Sequence, residues 1–101
     1  MYINKIIIAL SFIKGIGKVK TKKIFSGLQN FNLTEKEFLD HLKQESLIKE
    51  DDLAFFNQHL NKAEKILEKT INEGIKVINF IDEEFPEHLK NIPNPPIQLF
   101  T

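Results

Sequence analysis

The chain of 101 residues contains no cysteine, no tryptophan and no arginine, and only four glycines and four prolines. Without cysteine there are no disulfides and no thiolate metal sites, and a reducing cytosol becomes the expected setting. No apolar run reaches the length of a membrane span. The stretch from Tyr2 to Phe12 is apolar but short, is interrupted by Asn4 and Lys5, and is followed by lysines. A secretory signal places its positive charges first and ends in small residues. The composition therefore predicts a soluble cytoplasmic protein with no membrane partner. Low-complexity segments and internal repeats are also absent.

What is present is ordinary for a globular chain: 42% hydrophobic and 28% charged residues, with nine phenylalanines and one tyrosine to anchor a core. The length corresponds to about one small domain. Net charge is formally zero, but it is unevenly placed. Residues 1–30 carry six lysines and no acid, whereas residues 31–101 carry eight lysines against fourteen acids. The two parts stand at +6 and −6, which points the first toward a polyanion.

Hydrophobic periodicity sets the expected elements. Ile3, Ile6, Ile7 and Leu10 recur at helical spacing, predicting a first helix over Tyr2 to Phe12. A second is expected from Lys18 to Leu28, with Val19, Ile24, Phe25 and Leu28 on its apolar side and a boundary after Asn30. Thr34 and Glu37 form a capping box that opens a third helix, whose stripe is Phe38, Leu39 and Leu42. Leu53, Phe56, Leu60, Ala63, Leu67 and Ile71 predict one long helix over about Glu50 to Glu73, stopped by Gly74. The period then changes. Ile75 to Phe80 reads as a strand, Phe85 to Asn91 as a short helix and Ile97 to Phe100 as a second strand, parallel to the first. The fold expected is mainly α: a helical domain over 1–73, followed by a small incomplete βαβ unit over 74–101.

Ile13-Lys14-Gly15-Ile16-Gly17-Lys18-Val19-Lys20 is the segment with most chemistry. Two glycines one residue apart permit a hairpin with positive φ angles between two helices. Such a hairpin presents amides at the start of the second helix, where the dipole favours a phosphate. Lys14, Lys18, Lys20, Lys22 and Lys23 add a diffuse positive field. This suits a grip on a nucleic-acid backbone that does not read sequence. Lys14, Gly15, Ile16, Gly17, Lys18, Lys20, Lys22 and Lys23 are the candidate DNA-backbone residues. One hairpin makes few phosphate contacts, so the affinity expected is weak. The residues alone leave a second reading open, in which the hairpin is a structural turn in a protein-interaction or homodimerisation module.

No reaction centre is visible, so the chain is expected to bind rather than catalyse, with no cofactor and no metal. His41, His59 and His88 lack metal-ligand spacing. Glu83-Glu84 and Asp51-Asp52 read as helix-start acids, and Asp82 as a cap for the short helix. Ser11 and Ser26 have no histidine and acid arranged as a triad. Glycine-rich loops of the P-loop or dinucleotide type are absent. The phenylalanines fall mostly at apolar helical positions, so core packing is their expected role.

Two segments together resemble a known family. The hairpin resembles the helix-hairpin-helix motif of SAM-like domains. Gly74-Ile75-Lys76-Val77-Ile78, Asp82, Phe85-Pro86-Glu87-His88-Leu89 and Pro95-Pro96-Ile97-Gln98-Leu99-Phe100 resemble the start of the Rossmann-type domain in the DprA/Smf family of DNA-processing proteins. The resemblance implies a role in DNA uptake and recombination, with single-stranded DNA bound and a RecA-type recombinase loaded upon it. In that family the main strand-binding groove and the recombinase-facing surface lie on the Rossmann-type domain. Its Gly-Ser-Arg type loop has no counterpart before Thr101. The expectation is therefore an accessory DNA-binding segment, a truncation or a stand-alone relic, rather than a complete recombinase loader.

Overall fold

A computed structural model describes residues 3–28, 32–45, 48–93 and 95–101. Among these residues, six helices and two short strands follow in chain order: α1 (Ile3–Ser11), α2 (Lys18–Ser26), α3 (Glu35–Glu45), α4 (Glu50–Ala54), α5 (Phe56–Asn72), β1 (Val77–Asn79), α6 (Glu87–Lys90) and β2 (Gln98–Phe100). The expected boundary after Asn30 lies outside the described residues, as does the start of the first helix at Tyr2. The architecture is mainly helical with a small two-stranded sheet. Among the described residues, no helix is long and apolar enough to cross a membrane.

α1 is the hub. Ile6, Ala9 and Leu10 lose all solvent contact, and the helix packs along α5, whose Phe56, Leu60, Ala63 and Leu67 are buried at the expected three- and four-residue steps. A line of rings runs through the core: Phe25 of α2 stacks on Phe38 of α3 at 5.9 Å, and Phe38 meets Phe56 of α5 at 6.4 Å. The capping box forms as the spacing requires. The Glu37 amide donates to Thr34 Oγ1 at 3.1 Å, and the Thr34 amide donates to Glu37 Oε1 at 3.2 Å. Gly74, at φ +80°, ends α5 where a side chain would be strained.

Several expectations are corrected. The long helix is broken at Phe55, with φ −99° and ψ 3°, so that α4 and α5 are separate. The break leaves Phe55 half exposed and sends Phe56 fully into the core. Ile71 does not complete the buried stripe but stays 53% exposed. In α2 the buried positions are Thr21, Ile24 and Phe25, while Val19 is 80% exposed. Positions 21, 24, 25 and 28 form one helical stripe, and 19 falls off it.

The strands are antiparallel, not the parallel pair of a βαβ unit: Val77 faces Phe100, Ile78 faces Leu99 and Asn79 faces Gln98. The chain reverses immediately after β1. Asn79 Oδ1 accepts from the Ile81 amide at 2.9 Å, and Asp82 Oδ2 accepts from the Asn79 amide at 2.9 Å. Asp82 therefore closes this turn and does not cap α6, whose N-cap is Pro86 with no side-chain bond. α6 has a single turn, too short to return the chain along the sheet as a crossover helix does. Phe85 and Pro86 precede it, and Phe85 is buried.

The segment after Gly74 packs on the helices. Asn4 Nδ2 donates to the Val77 carbonyl at 3.2 Å, and Gln98 Nε2 donates to Asn4 Oδ1 at 3.1 Å. Phe80 meets Phe25 edge-on at 6.0 Å.

Candidate functional site

The turn between α1 and α2 is built by short-range bonds and one glycine. The Ile13 amide donates to the Leu10 carbonyl at 3.1 Å, and the Ile16 amide to the Ile13 carbonyl at 3.2 Å. Ile13 is buried and Ile16 packs against the core, so the turn is pinned from beneath. Gly15, at φ +91°, supplies the left-handed residue between them. Gly17 was expected to share that conformation and does not. Its φ of −99° and ψ of −168° are extended, as suits an N-cap residue.

Gly17 nevertheless controls the start of α2. Its carbonyl accepts the first intrahelical bond, from the Thr21 amide at 3.0 Å. The amides of Lys18, Val19 and Lys20 precede that bond and have no acceptor within the helix. Among the described residues no side chain caps them. A Cβ added to Gly17 would have no heavy atom within 4 Å, so the space beside this residue is open.

Around this point the structure gathers most of the candidate lysines. Lys14, Lys18, Lys20 and Lys23 are exposed, and among the described residues none of them forms an ion pair. Lys22 is half-buried, with its ammonium 5.7 Å from the centre of the Phe80 ring. It belongs to the packing of the C-terminal segment more than to the exposed cluster. Lys5, the sixth lysine of the basic part, pairs with Glu35 on α3. Exposed Val19, Lys20 and Lys23 lie on one side of α2 and Lys18 stands at its first position. Among the described residues none of these lysines has a negative partner, so the oxygens of an anion can meet ammonium groups and the open amides together.

Two contributors lie far away in sequence. Lys62 of α5 holds its ammonium 4.8 Å from the ring of Phe12, the residue just before the turn. Ile66 of α5 and Pro96, Ile97 and Phe100 of the C-terminal segment form, with Ile16, Gly17 and Lys18, an open groove of about 450 Å³. Spacing along the chain carries no signal for these neighbours, because they reach the turn only through packing on α1.

The histidines, serines and paired acids make local contacts or stand at the surface. His41 Nε2 lies 3.1 Å from the Ile24 carbonyl, and His59 tilts against Phe12 at 5.9 Å between ring centres. His88 is exposed. Ser11 Oγ donates to the Ile8 carbonyl at 2.5 Å and Ser26 Oγ to the Lys23 carbonyl at 2.8 Å, each within its own helix. Asp51 and Asp52 stand in the first turn of α4, as expected. Glu83 and Glu84 fall before α6, and Glu84 pairs with Lys76 across the reversal. Among the described residues, no group of three or more histidine and acidic side chains is placed to hold a metal ion.

The site so defined is an uncapped, lysine-rich helix start beside a glycine turn. Comparison with known proteins returned no matching family model, no matching curated protein and no matching solved structure.

Proposed function

We propose that the chain binds DNA through the α1–α2 turn, acting as a non-catalytic helix-hairpin-helix module that contacts the phosphate backbone without reading sequence. The observation that carries this reading is the set Lys14, Lys18 and Lys20 around a helix start whose first amides are open, with Lys23 further along the same helix, all exposed and without acidic partners among the described residues. Phosphate oxygens satisfy such amides, and released counterions drive the association. Ile16 fixes the turn from below and Gly17 lets the backbone come close. Lys22 contributes field rather than contact, since its ammonium lies over Phe80.

The resemblance of the hairpin and of the 74–100 segment to the DprA/Smf family supports a place in DNA uptake or recombination. Recombinase loading, in that reading, belongs to a Rossmann-type domain and is not assigned to these helices. The antiparallel sheet weakens the likeness at the C-terminal segment, so the hairpin carries the proposal alone.

Fluorescence anisotropy with labelled duplex and single strands tests it. Four phosphate contacts give a slope of about −3.6 in log affinity against log salt on duplex, or about a hundredfold loss between 50 and 200 mM. Reversing Lys18, Lys20 and Lys23 to Glu should flatten that slope and abolish most binding while leaving the helical signal intact. Unchanged affinity in the reversed variant would sink the reading.

A further inference from the structure

β2 has one side paired and one side bare. Lys76 and Thr101 exchange both backbone bonds, at 2.7 and 2.8 Å, and the Phe80 amide donates to the Ile97 carbonyl at 2.9 Å. In an antiparallel ladder, bonded and non-bonded pairs alternate, so Gln98 and Phe100 turn their backbone amides and carbonyls away from β1. Among the described residues these groups have no hydrogen-bond partner. The outer side of β1 is different. There the Val77 carbonyl takes the Asn4 amide, and the Asn79 amide is held by Asp82. One edge of the sheet is closed by side chains and the other is left open, and open edges accept strands.

The open edge borders the groove of about 450 Å³, whose lining includes Ile7, Ile66, Ile97 and Phe100, with Gly17 and Lys18 beside them. Phe100 is 51% exposed and Ile66 38% exposed. We infer that this edge and groove bind an extended, apolar peptide segment of a partner protein that carries an acidic residue, adding it to the sheet as a third strand. The bare backbone groups require an extended chain, because only a strand offers amides and carbonyls at matching intervals. The apolar lining requires apolar side chains at alternate positions. Lys18, which borders the groove and has no acidic partner among the described residues, favours a carboxylate there. A second copy of this chain fits less well, since pairing β2 with β2 would bring two lysine-rich helix starts to one groove.

The full chain, labelled with nitrogen-15, can be titrated with two capped octapeptides of alternating valine and threonine. One bears two aspartates at its amino end, the other at its carboxyl end. The expected result is that one of them shifts the Gln98 and Phe100 amides and slows their exchange at least tenfold. Phe100→Pro, which removes the outward amide, should weaken that peptide at least tenfold, and Lys18→Glu several-fold. Phe100→Ala, at an exposed position, should keep the native spectrum and separates lost backbone pairing from lost side-chain contact. The inference is overturned if neither peptide protects these amides at millimolar concentration, or if Phe100→Pro binds as the parent does. It is overturned equally if protection rises with protein concentration without peptide, which would give the edge to a second copy. DNA affinity is read separately, so failure here leaves the hairpin proposal standing.

Discussion

Asn79 and Asn4, 75 positions apart, are joined by a hydrogen bond from Asn79 Nδ2 to Asn4 Oδ1 at 3.0 Å. Asn79 is 2% exposed, so its amide is buried and must be satisfied. Asn4 Oδ1 also accepts from Gln98, and Asn4 Nδ2 reaches the Val77 carbonyl. One asparagine on α1 therefore contacts both strands. Replacing Asn79 with Ala should cost about 1–3 kcal/mol, because it also strips the Ile81 amide of its acceptor. Hydrogen exchange is the measurement. The amides of 77–79 and 98–100 should lose protection more than those of α1 and α5. Uniform loss across the chain would mean that the C-terminal segment does not open separately.

The two glycines of the turn should respond differently to alanine. Gly15 is left-handed at φ +91°, and a side chain there costs about 1–2 kcal/mol. Gly17 is extended, so Gly17→Ala should leave the thermal midpoint almost unchanged. At about 4–8 °C per kcal/mol for a domain of this size, Gly15→Ala should melt at least 4 °C below the parent. Equal midpoints for the two variants would contradict the assigned conformations.

Gly17→Val separates folding from binding. The position has open space around it, so the thermal midpoint should stay within a few degrees of the parent. The branched side chain would stand before the open amides of Lys18, Val19 and Lys20. Duplex affinity at 50 mM salt should fall at least fivefold while the salt slope, set by the lysines, holds. Parent-like affinity in anisotropy titrations would show that phosphate does not approach these amides.

Phe38 and Phe55 test the core. Phe38 is fully buried between Phe25 and Phe56, whereas Phe55 is 53% exposed at the break between α4 and α5. Phe38→Ala should cost about 3–5 kcal/mol, a large share of the stability of a small domain. Phe55→Ala should cost less than about 1 kcal/mol. Urea midpoints of both variants decide the matter, and a reversal of their order would refute the packing described.

Features decided within a few residues were legible in the sequence. The Thr34–Glu37 box needs only a three-residue spacing, and Gly74 needs only a helix end before it. Gly15 was legible for the same reason, since a turn between two periodic segments must find its left-handed residue locally. Strand direction was not. It is set by Asn4 and by the reversal at Asn79–Asp82, and a β-type segment carries no mark of which way its partner runs. Val19 was misplaced because its chemistry agreed with the core while its angle around α2 did not. Of the candidate site, the lysines were legible as a cluster. That Lys22 turns to Phe80, and that Lys62 and Phe100 stand near the turn, depend on packing between distant segments.

The network around Asn4 also sets an order of events during synthesis. α1 leaves the ribosome well before the partners of Asn4, which lie 73, 75 and 94 positions later. At about 5–20 residues per second, those partners arrive about 4–19 s after α1. Until then Asn4 stays hydrated on a helix whose other face can already pair with α5. The phenylalanine line can therefore assemble before the sheet, and the edge of β2 forms only once residues 98–100 have emerged.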